Sequence, residues 1–394
     1  MFEKKTMNSL LATYNRSKLS FSSGQGAYLF TPNKERYLDF ASGIGVNSLG
    51  HNHPHLVKVL NEQSKKIWHC SNMYQIALQE KAAKRLVKNT FADSVFFCNS
   101  GAEAIEAGIK MVRRFFFQQH KEKKYRIICA GNAFHGRTFA AISASGQRKM
   151  LEGFGPALQG FDHVEFGNLR AVRNKINKKT AAILVEPIQG EGGVNVASRD
   201  YMRALRRLAN EKKLLLFFDE VQCGVGRSGK FSTHEWSGIR PDIMSIAKGI
   251  GGGFPVGACL VTRKVSRCMN QGTHGSTYGG NPLAMAVVNG VLDIIPKKKF
   301  LTNVCLLGDL LKKDLYDIQK KYPNIISGIR GIGLMLGLQC VVPNTIFLQS
   351  LRKNGLLAAT AGENVIRLLP PLNITKKHIT EAIKIIDKSA KGLC

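Results

Sequence analysis

Two residues of this chain have the type and the setting for covalent chemistry, Lys248 and Asp219. Lys248 closes the apolar run Ile243-Met244-Ser245-Ile246-Ala247 and leads into Gly249-Ile250-Gly251-Gly252-Gly253-Phe254-Pro255. Asp219 closes a second run, Leu214-Leu215-Leu216-Phe217-Phe218, and leads into Glu220-Val221-Gln222. Both runs read as strands buried on both faces, so they deliver an ammonium and a carboxylate to loop edges 29 residues apart (248 minus 219). In open α/β sheets, ligands bind beyond the carboxyl ends of the strands. A lysine and an aspartate placed there are the two protein groups that pyridoxal phosphate requires, a Schiff-base partner and a partner for the pyridinium nitrogen. Taken singly, a lysine ending a strand also snorkels to water, and an aspartate there also begins a turn.

Further segments have chemical potential. Asn99-Ser100-Gly101-Ala102-Glu103-Ala104 stands between a strand and a long helix. Its free backbone N–H groups and positive dipole end suit a phosphate, and Ser100 equally suits an ordinary N-cap. Phe134-His135-Gly136-Arg137 follows another strand and offers an aromatic face with a carboxylate-binding guanidinium. Gly224-Val225-Gly226-Arg227-Ser228-Gly229 satisfies a dinucleotide fingerprint, yet Gly238 and Pro241 crowd the helix that should follow and the acidic residue about 20 positions on is missing. As a P-loop it fails at Phe231, where Ser or Thr must hold magnesium. His51, His53 and His55 lack a second ligand cluster, and no metal site is expected.

The elements that must position these groups follow from periodicity. Tyr28-Leu29-Phe30 and Tyr37-Leu38-Asp39-Phe40 flank a turn and predict a β-hairpin. Helical spacing covers 54–68, 78–87, 102–119 and 199–211. Strands at 95–98, 127–130 and 182–185 join the two already named, and their alternation with helices predicts a mostly parallel sheet covered on both faces. Beyond about 295 a long helix at 300–321, short strands and a helix at 376–388 predict a smaller α+β domain. The expected division is an N-terminal segment with the hairpin (1–45), a large domain (46–295) and a small C-terminal domain (296–394).

With 394 residues, 44% hydrophobic residues and 39 glycines, the chain has the composition of an α/β protein rich in tight turns. No apolar stretch reaches the roughly 18 residues of a membrane span, and Met1-Phe2-Glu3-Lys4-Lys5 lacks a signal-peptide core. Nine cysteines without a Cys-x-x-Cys pair read as free thiols, which predicts a cytoplasmic protein. The basic residues behind the net charge of +30 are scattered, with only short, separate clusters at 121–124, 175–179 and 297–299 and no nucleic-acid-binding motif, so a solvated lysine-rich surface is expected.

Taken in order, Asn99 to Ala104, Ala133 to Arg137, the run Val185-Glu186-Pro187-Ile188-Gln189-Gly190-Glu191-Gly192-Gly193, Asp219 to Gly229, Ala247 to Pro255 and Thr273 to Pro282 resemble the class III, fold type I aminotransferases, and the resemblance runs over about 14–388. Within that family, Trp68-His69-Cys70-Ser71-Asn72-Met73-Tyr74 and the segment 361–372 look most like members that act on N2-acetyl-L-ornithine. The resemblance implies transfer of its amino group to 2-oxoglutarate, giving N-acetyl-L-glutamate 5-semialdehyde and L-glutamate, as a step of arginine biosynthesis. Ornithine, succinylornithine, N-succinyl-diaminopimelate and 4-aminobutyrate are the alternative donors. A nucleotide-binding enzyme working through 224–230 and a basic nucleic-acid-binding protein are the readings of other classes.

The resemblance also implies roles. Lys248 is the Schiff-base lysine and proton carrier, and Asp219 the pyridinium partner. Gln222 bonds the phenolic oxygen, Phe134 stacks on one ring face and Val221 packs on the other. Gly101 and Ala102 cradle the phosphate, joined by Thr277 of the partner subunit in a homodimer with shared sites. Substrate falls to Arg137, Ser276, Arg367 and Glu191, with Glu191 the internal counter-ion of Arg367. No nucleic acid or membrane partner is implied.

Overall fold

The structure is a computed structural model and describes residues 9–394; the reading of the first five residues, and the start of the 1–45 segment, fall outside that range. A seven-stranded sheet forms its centre: β1 (Ser94–Cys98), β2 (Arg126–Ala130), β3 (Phe161–Val164), β4 (Thr180–Val185), β5 (Leu215–Asp219), β6 (Ile243–Ile246) and β7 (Gly257–Val261). In space they run β1-β7-β6-β5-β4-β2-β3. β5 is parallel to both of its neighbours, whereas β7 is antiparallel to β6 and to β1. The sheet is therefore mixed at one side and parallel through the region that carries Asp219.

β5 shows why the apolar runs become strands. Leu215 and Phe217 face one core cluster while Leu216 and Phe218 face the other, all of them fully buried. Each such side chain contributes about 1.5–3 kcal/mol by leaving water. The polar residue that ends the run cannot continue into either core, so it emerges at the sheet edge. Helix α1 (Gly101–Phe117) follows β1 and packs across this sheet.

A second, antiparallel sheet is built from β8 (Ile326–Ile332), β9 (Met335–Cys340), β10 (Ala359–Ala361) and β11 (Val365–Leu368), in the order β8-β9-β11-β10. The predicted hairpin is present, with Tyr28 opposite Leu38. It does not stand alone, because the strand Arg36–Asp39 also pairs in parallel with Leu356–Leu357 from far along the chain.

Several sequence-read boundaries move. The helix expected over 54–68 ends at Ser64. There the Trp68 indole N–H donates to the Ser64 carbonyl (2.7 Å) and the Gln63 amide to the Ile67 carbonyl (2.8 Å), so side chains satisfy groups that a further turn would have used. The C-terminal helix extends to Lys391 and the long one begins at Lys298. Among the described residues no helix is long and apolar enough to cross a membrane, and the nine cysteines are free thiols.

Candidate active site

A cavity of about 430 Å³ opens beyond the carboxyl ends of β1, β5 and β6, within the range of small-molecule pockets. Asp219 and Lys248 both line it, together with Gly101, Ala102, Phe134, Arg137 and Val221. Seven of the sequence-read site residues are thus brought to one place.

The start of α1 forms one wall. Ser100 caps it, its Oγ accepting from the Glu103 N–H at 3.2 Å. Glu103 turns back, its Oε2 accepting from the Asn99 N–H (2.7 Å) and side-chain amide (3.0 Å). The N–H groups of Gly101 and Ala102 belong to the first helical turn, have no intrahelical acceptor, and lie at the positive end of the dipole. A Cβ on Gly101 would stand 2.7 Å from Val221 Cγ1, so only glycine lets the helix start meet Val221 at the cavity wall.

Asp219 is nearly sealed from solvent. Its Oδ1 accepts from the Val221 N–H at 2.9 Å and its Oδ2 lies 2.7 Å from Nδ1 of fully buried His135. A carboxylate offers about four acceptor positions, so capacity remains toward the cavity. His135 Nε2 is buried without a partner. Glu186, also buried, accepts from the Phe134 N–H at 3.1 Å. Burial, and then the neighbouring Asp219 charge, hold the Glu186 carboxyl well above its ordinary range.

Lys248 adopts a left-handed backbone (φ +47°) as it opens the short turn Lys248–Gly251. That conformation costs a non-glycine residue about 1–2 kcal/mol, and such strain gathers at functional sites. Among the described residues its ammonium finds no hydrogen-bond partner. Burial, then the Arg367 charge, push its pKa down to about 8 against the opposing pull of Glu191, Asp219 and Glu186. Lys248 is therefore available as a nucleophile near neutral pH.

Gln222, Glu191 and Arg367 form a second cluster beside the cavity. Arg367, on β11, is almost completely buried; its Nη1 donates to Gln222 Oε1 at 2.6 Å and lies 2.8 Å from Glu191 Oε1. Burial pulls the Glu191 carboxyl up, but the Arg367 guanidinium outweighs it and leaves the group below its ordinary range. Arg137 is exposed at the cavity mouth, its guanidinium 5.8 Å from the Phe134 ring centroid, and among the described residues it has no carboxylate partner.

Ser276 and Thr277 are not drawn into this chain's cavity. Ser276 Oγ accepts from Gly279 N–H (3.0 Å) and from the amide of the cavity residue Asn99 (3.3 Å), whereas Thr277 is exposed. His51 and His55 point to separate carboxylates, Asp39 and Asp293, each at 2.8 Å. Sequence reasoning assigned no role to His135 or Glu186. Both lie inside segments quoted for other residues, and nothing local to them announces a partner 84 or 52 positions away.

The donor set fits pyridoxal phosphate. It comprises free N–H groups at a helix start for a phosphate, a carboxylate with spare acceptors for a protonated ring nitrogen, apolar Phe134 and Val221 for ring contact, and an unpaired amine of lowered pKa for the aldehyde.

Comparison with known proteins agrees. The family model described as aminotransferase class-III matches residues 12–389. An acetylornithine aminotransferase of Brucella melitensis biotype 1 is 53% identical over 393 residues, which is 100% of this chain and 98% of that protein. The solved N-acetylornithine aminotransferase of Stenotrophomonas maltophilia K279a is 33% identical with a TM-score of 0.85, covering 96% of this chain and 97% of its own. An ornithine aminotransferase structure from Toxoplasma gondii, described as having partial occupancy of PLP at its active site, has a TM-score of 0.93 at 30% identity, covering 97% and 92%.

Proposed function

This chain belongs to the class III aminotransferases, and from that premise we propose that it moves the δ-amino group of N2-acetyl-L-ornithine to 2-oxoglutarate, giving N-acetyl-L-glutamate 5-semialdehyde and L-glutamate. It is a pyridoxal-phosphate-dependent transaminase. The observation that carries the substrate reading is identity of 53% over the whole chain with an acetylornithine aminotransferase, supported by a cavity lined by Lys248, Asp219, Phe134 and Arg137.

When bound, the cofactor supplies an aldehyde carbon that carries the amino group between half-reactions and a ring that accepts electron density. The residues supply the rest. Gly101 and Ala102 hold the phosphate through main-chain N–H groups, with Thr277 of the partner subunit completing the cradle. Asp219 keeps the ring nitrogen protonated, and His135 orients Asp219 by occupying Oδ2. Phe134 and Val221 confine the ring, and Gln222 bonds its phenolic oxygen. Lys248 would be the residue that holds the aldehyde carbon and that moves the proton to and from the substrate carbon.

Substrate recognition divides between two arginines. Arg137 holds the carboxylate distant from the reacting carbon. Arg367 binds the second carboxylate of glutamate or 2-oxoglutarate, next to the reacting carbon. With acetylornithine bound nothing anionic occupies that place, and Glu191 then neutralises Arg367 as it does in the structure. An unpaired guanidinium so buried would be costly.

We also propose a homodimer as the active unit, a cytoplasmic location, a place in arginine biosynthesis, and the three-part division at 45/46 and 295/296. The pairing of Arg36–Asp39 with Leu356–Leu357 supports grouping the N-terminal hairpin with the C-terminal part.

The test is a single-turnover panel in which cofactor-loaded protein meets each amino donor in turn. Acetylornithine and glutamate should both discharge the cofactor absorbance, ornithine and 4-aminobutyrate far more slowly, and Lys248→Ala should fold, retain cofactor and not turn over. A faster reaction with ornithine than with acetylornithine would overturn the substrate assignment.

A further inference from the structure

The loop after β5 contains a motif that the proposed activity leaves without a role, Gly224 to Gly229. It does not cradle an anion. Residues 222–229 are buried, and the short 3-10 turn Thr233–Ser237 follows where a phosphate-binding helix should start. At its centre lies Arg227, 2% exposed and, among the described residues, with no carboxylate partner. Arg227 Nη1 donates to two main-chain carbonyls, Leu334 (3.0 Å) and Pro370, and the Arg227 carbonyl accepts from the Leu334 N–H at 3.0 Å. Its Nη2 is buried without a partner. Burial alone pushes the guanidinium pKa down to about 9. A buried charge without a counter-ion weakens the fold relative to an apolar residue, so its presence calls for another explanation.

The two carbonyls supply one. Leu334 sits in the turn between β8 and β9, and β9 pairs with β11 so that Gly337 stands opposite Arg367 and Leu336 opposite Leu368. Pro370 lies three residues beyond Arg367. One Arg227 nitrogen therefore holds the start of β9 and the end of β11, the ladder that carries Arg367. The same loop contributes Gln222, whose Oε1 accepts from Arg367 at 2.6 Å. The contact has no slack. Gly333 has φ +59°, and a Cβ there would stand 2.6 Å from the Ser228 carbonyl carbon and 2.7 Å from the Arg227 oxygen.

We propose that Arg227 is a positioning residue for substrate specificity, which fixes Arg367 relative to Gln222 and Glu191 and thereby sets recognition of the carboxylate adjacent to the reacting carbon. The proposal rests on the role given above to Arg367. The distal carboxylate, held by Arg137, is outside its reach.

The test uses holoenzyme carrying Arg227→Met or Arg227→Lys, with thermal unfolding recorded beside both half-reactions. Arg227→Met should weaken glutamate and 2-oxoglutarate about tenfold or more, since small displacements of a positioning group have effects of that size. Acetylornithine should change by less than about threefold, the distal contact being intact. Arg227→Lys, with its charge and one donor kept, should fall between the two. Equal losses in both half-reactions, unchanged glutamate affinity, or failure of both variants to fold would each overturn the proposal, the last by making Arg227 a determinant of the fold alone. If unaltered enzyme ignores acetylornithine, the substrate assignment fails instead, and the glutamate half-reaction still reads the Arg227 effect.

Discussion

Asp219 and Glu220 are consecutive buried carboxylates, each paired to a histidine at 2.7 Å, and only Asp219 lines the cavity. Glu220 commits three acceptor positions to its own loop: its Oε1 accepts from the His234 N–H (2.9 Å) and ring Nδ1, and its Oε2 from the Thr233 N–H (2.6 Å). Phe91 and Phe218 close around His234, with ring centroids 5.6 and 5.8 Å away. Asp219 has one main-chain donor and one imidazole, and lines the cavity. Successive strand side chains face opposite ways, so the end of β5 sends one carboxylate toward the cavity and the next into a loop it staples. Both are buried carboxylates. Spare acceptor capacity facing the cavity distinguishes Asp219.

Substituting each carboxylate by its amide should separate the two regions sharply. Asp219→Asn should leave thermal unfolding nearly unchanged and lower single-turnover rates by about 10³-fold, the scale of losing one preorganised charge in a site. Glu220→Gln should do the opposite, lowering stability by about 3 kcal/mol because a buried donor loses its acceptor, with turnover per folded molecule retained. Denaturant titration and rapid kinetics on both proteins decide it, and exchanged outcomes would break the comparison.

Next in size are the residues that neutralise one another beside the cavity. Arg367→Ala should slow the glutamate half-reaction about 100-fold, the scale of truncating a buried charge pair, and spare acetylornithine. Glu191→Ala should slow acetylornithine more than glutamate. Stopped-flow rates for both donors are the measurement, and parallel losses would show a permanent ion pair.

Replacing the histidine tests how much the pairing itself contributes. His135→Asn removes one charge-assisted hydrogen bond from Asp219 and should slow turnover about tenfold. His234→Asn should cost stability and leave the rate per folded molecule alone.

The smallest effect concerns pH. Lys248 is held at about 8 in the folded protein, below the roughly 10.4 of an unfolded lysine. Its protonated form therefore opposes folding, fully below pH about 8 and not at all above about 10.4. Lys248→Met should raise the apoprotein's Tm at pH 7, and the gain should shrink as pH rises through that window. A gain constant with pH would place the effect in packing rather than charge. Capture of an aldehyde by the apoprotein should likewise rise with pH about a midpoint near 8.

Much of this architecture is legible in the residue order. The apolar runs ending at Asp219 and Ala247 predict β5 and β6, and both Asp219 and Lys248 emerge at the same cavity. The helix read over 199–211 has those bounds in the structure. The edge strand Phe161–Val164 is missing from that reading, because four residues with an aspartate and a histidine among them carry little apolar signal. Nor does the sequence reveal that β7 inserts antiparallel between β1 and β6, since strand order is a property of crossovers and not of the strands they join.

What the sequence determines by itself is local: which segments bury both faces, where a polar residue ends each run, and which helix begins on a glycine with its N–H groups free. What only the tertiary structure decides is which distant groups meet. His135 reaches Asp219 across 84 positions, Glu191 meets Arg367 across 176 (367 minus 191), and Arg227 holds a ladder built from residues more than 100 positions away. Periodicity specifies the face a side chain takes on its own element. The partner it finds there depends on how the two sheets pack, and on the cost of leaving a buried charge or donor unpaired, which selects among the packings that remain.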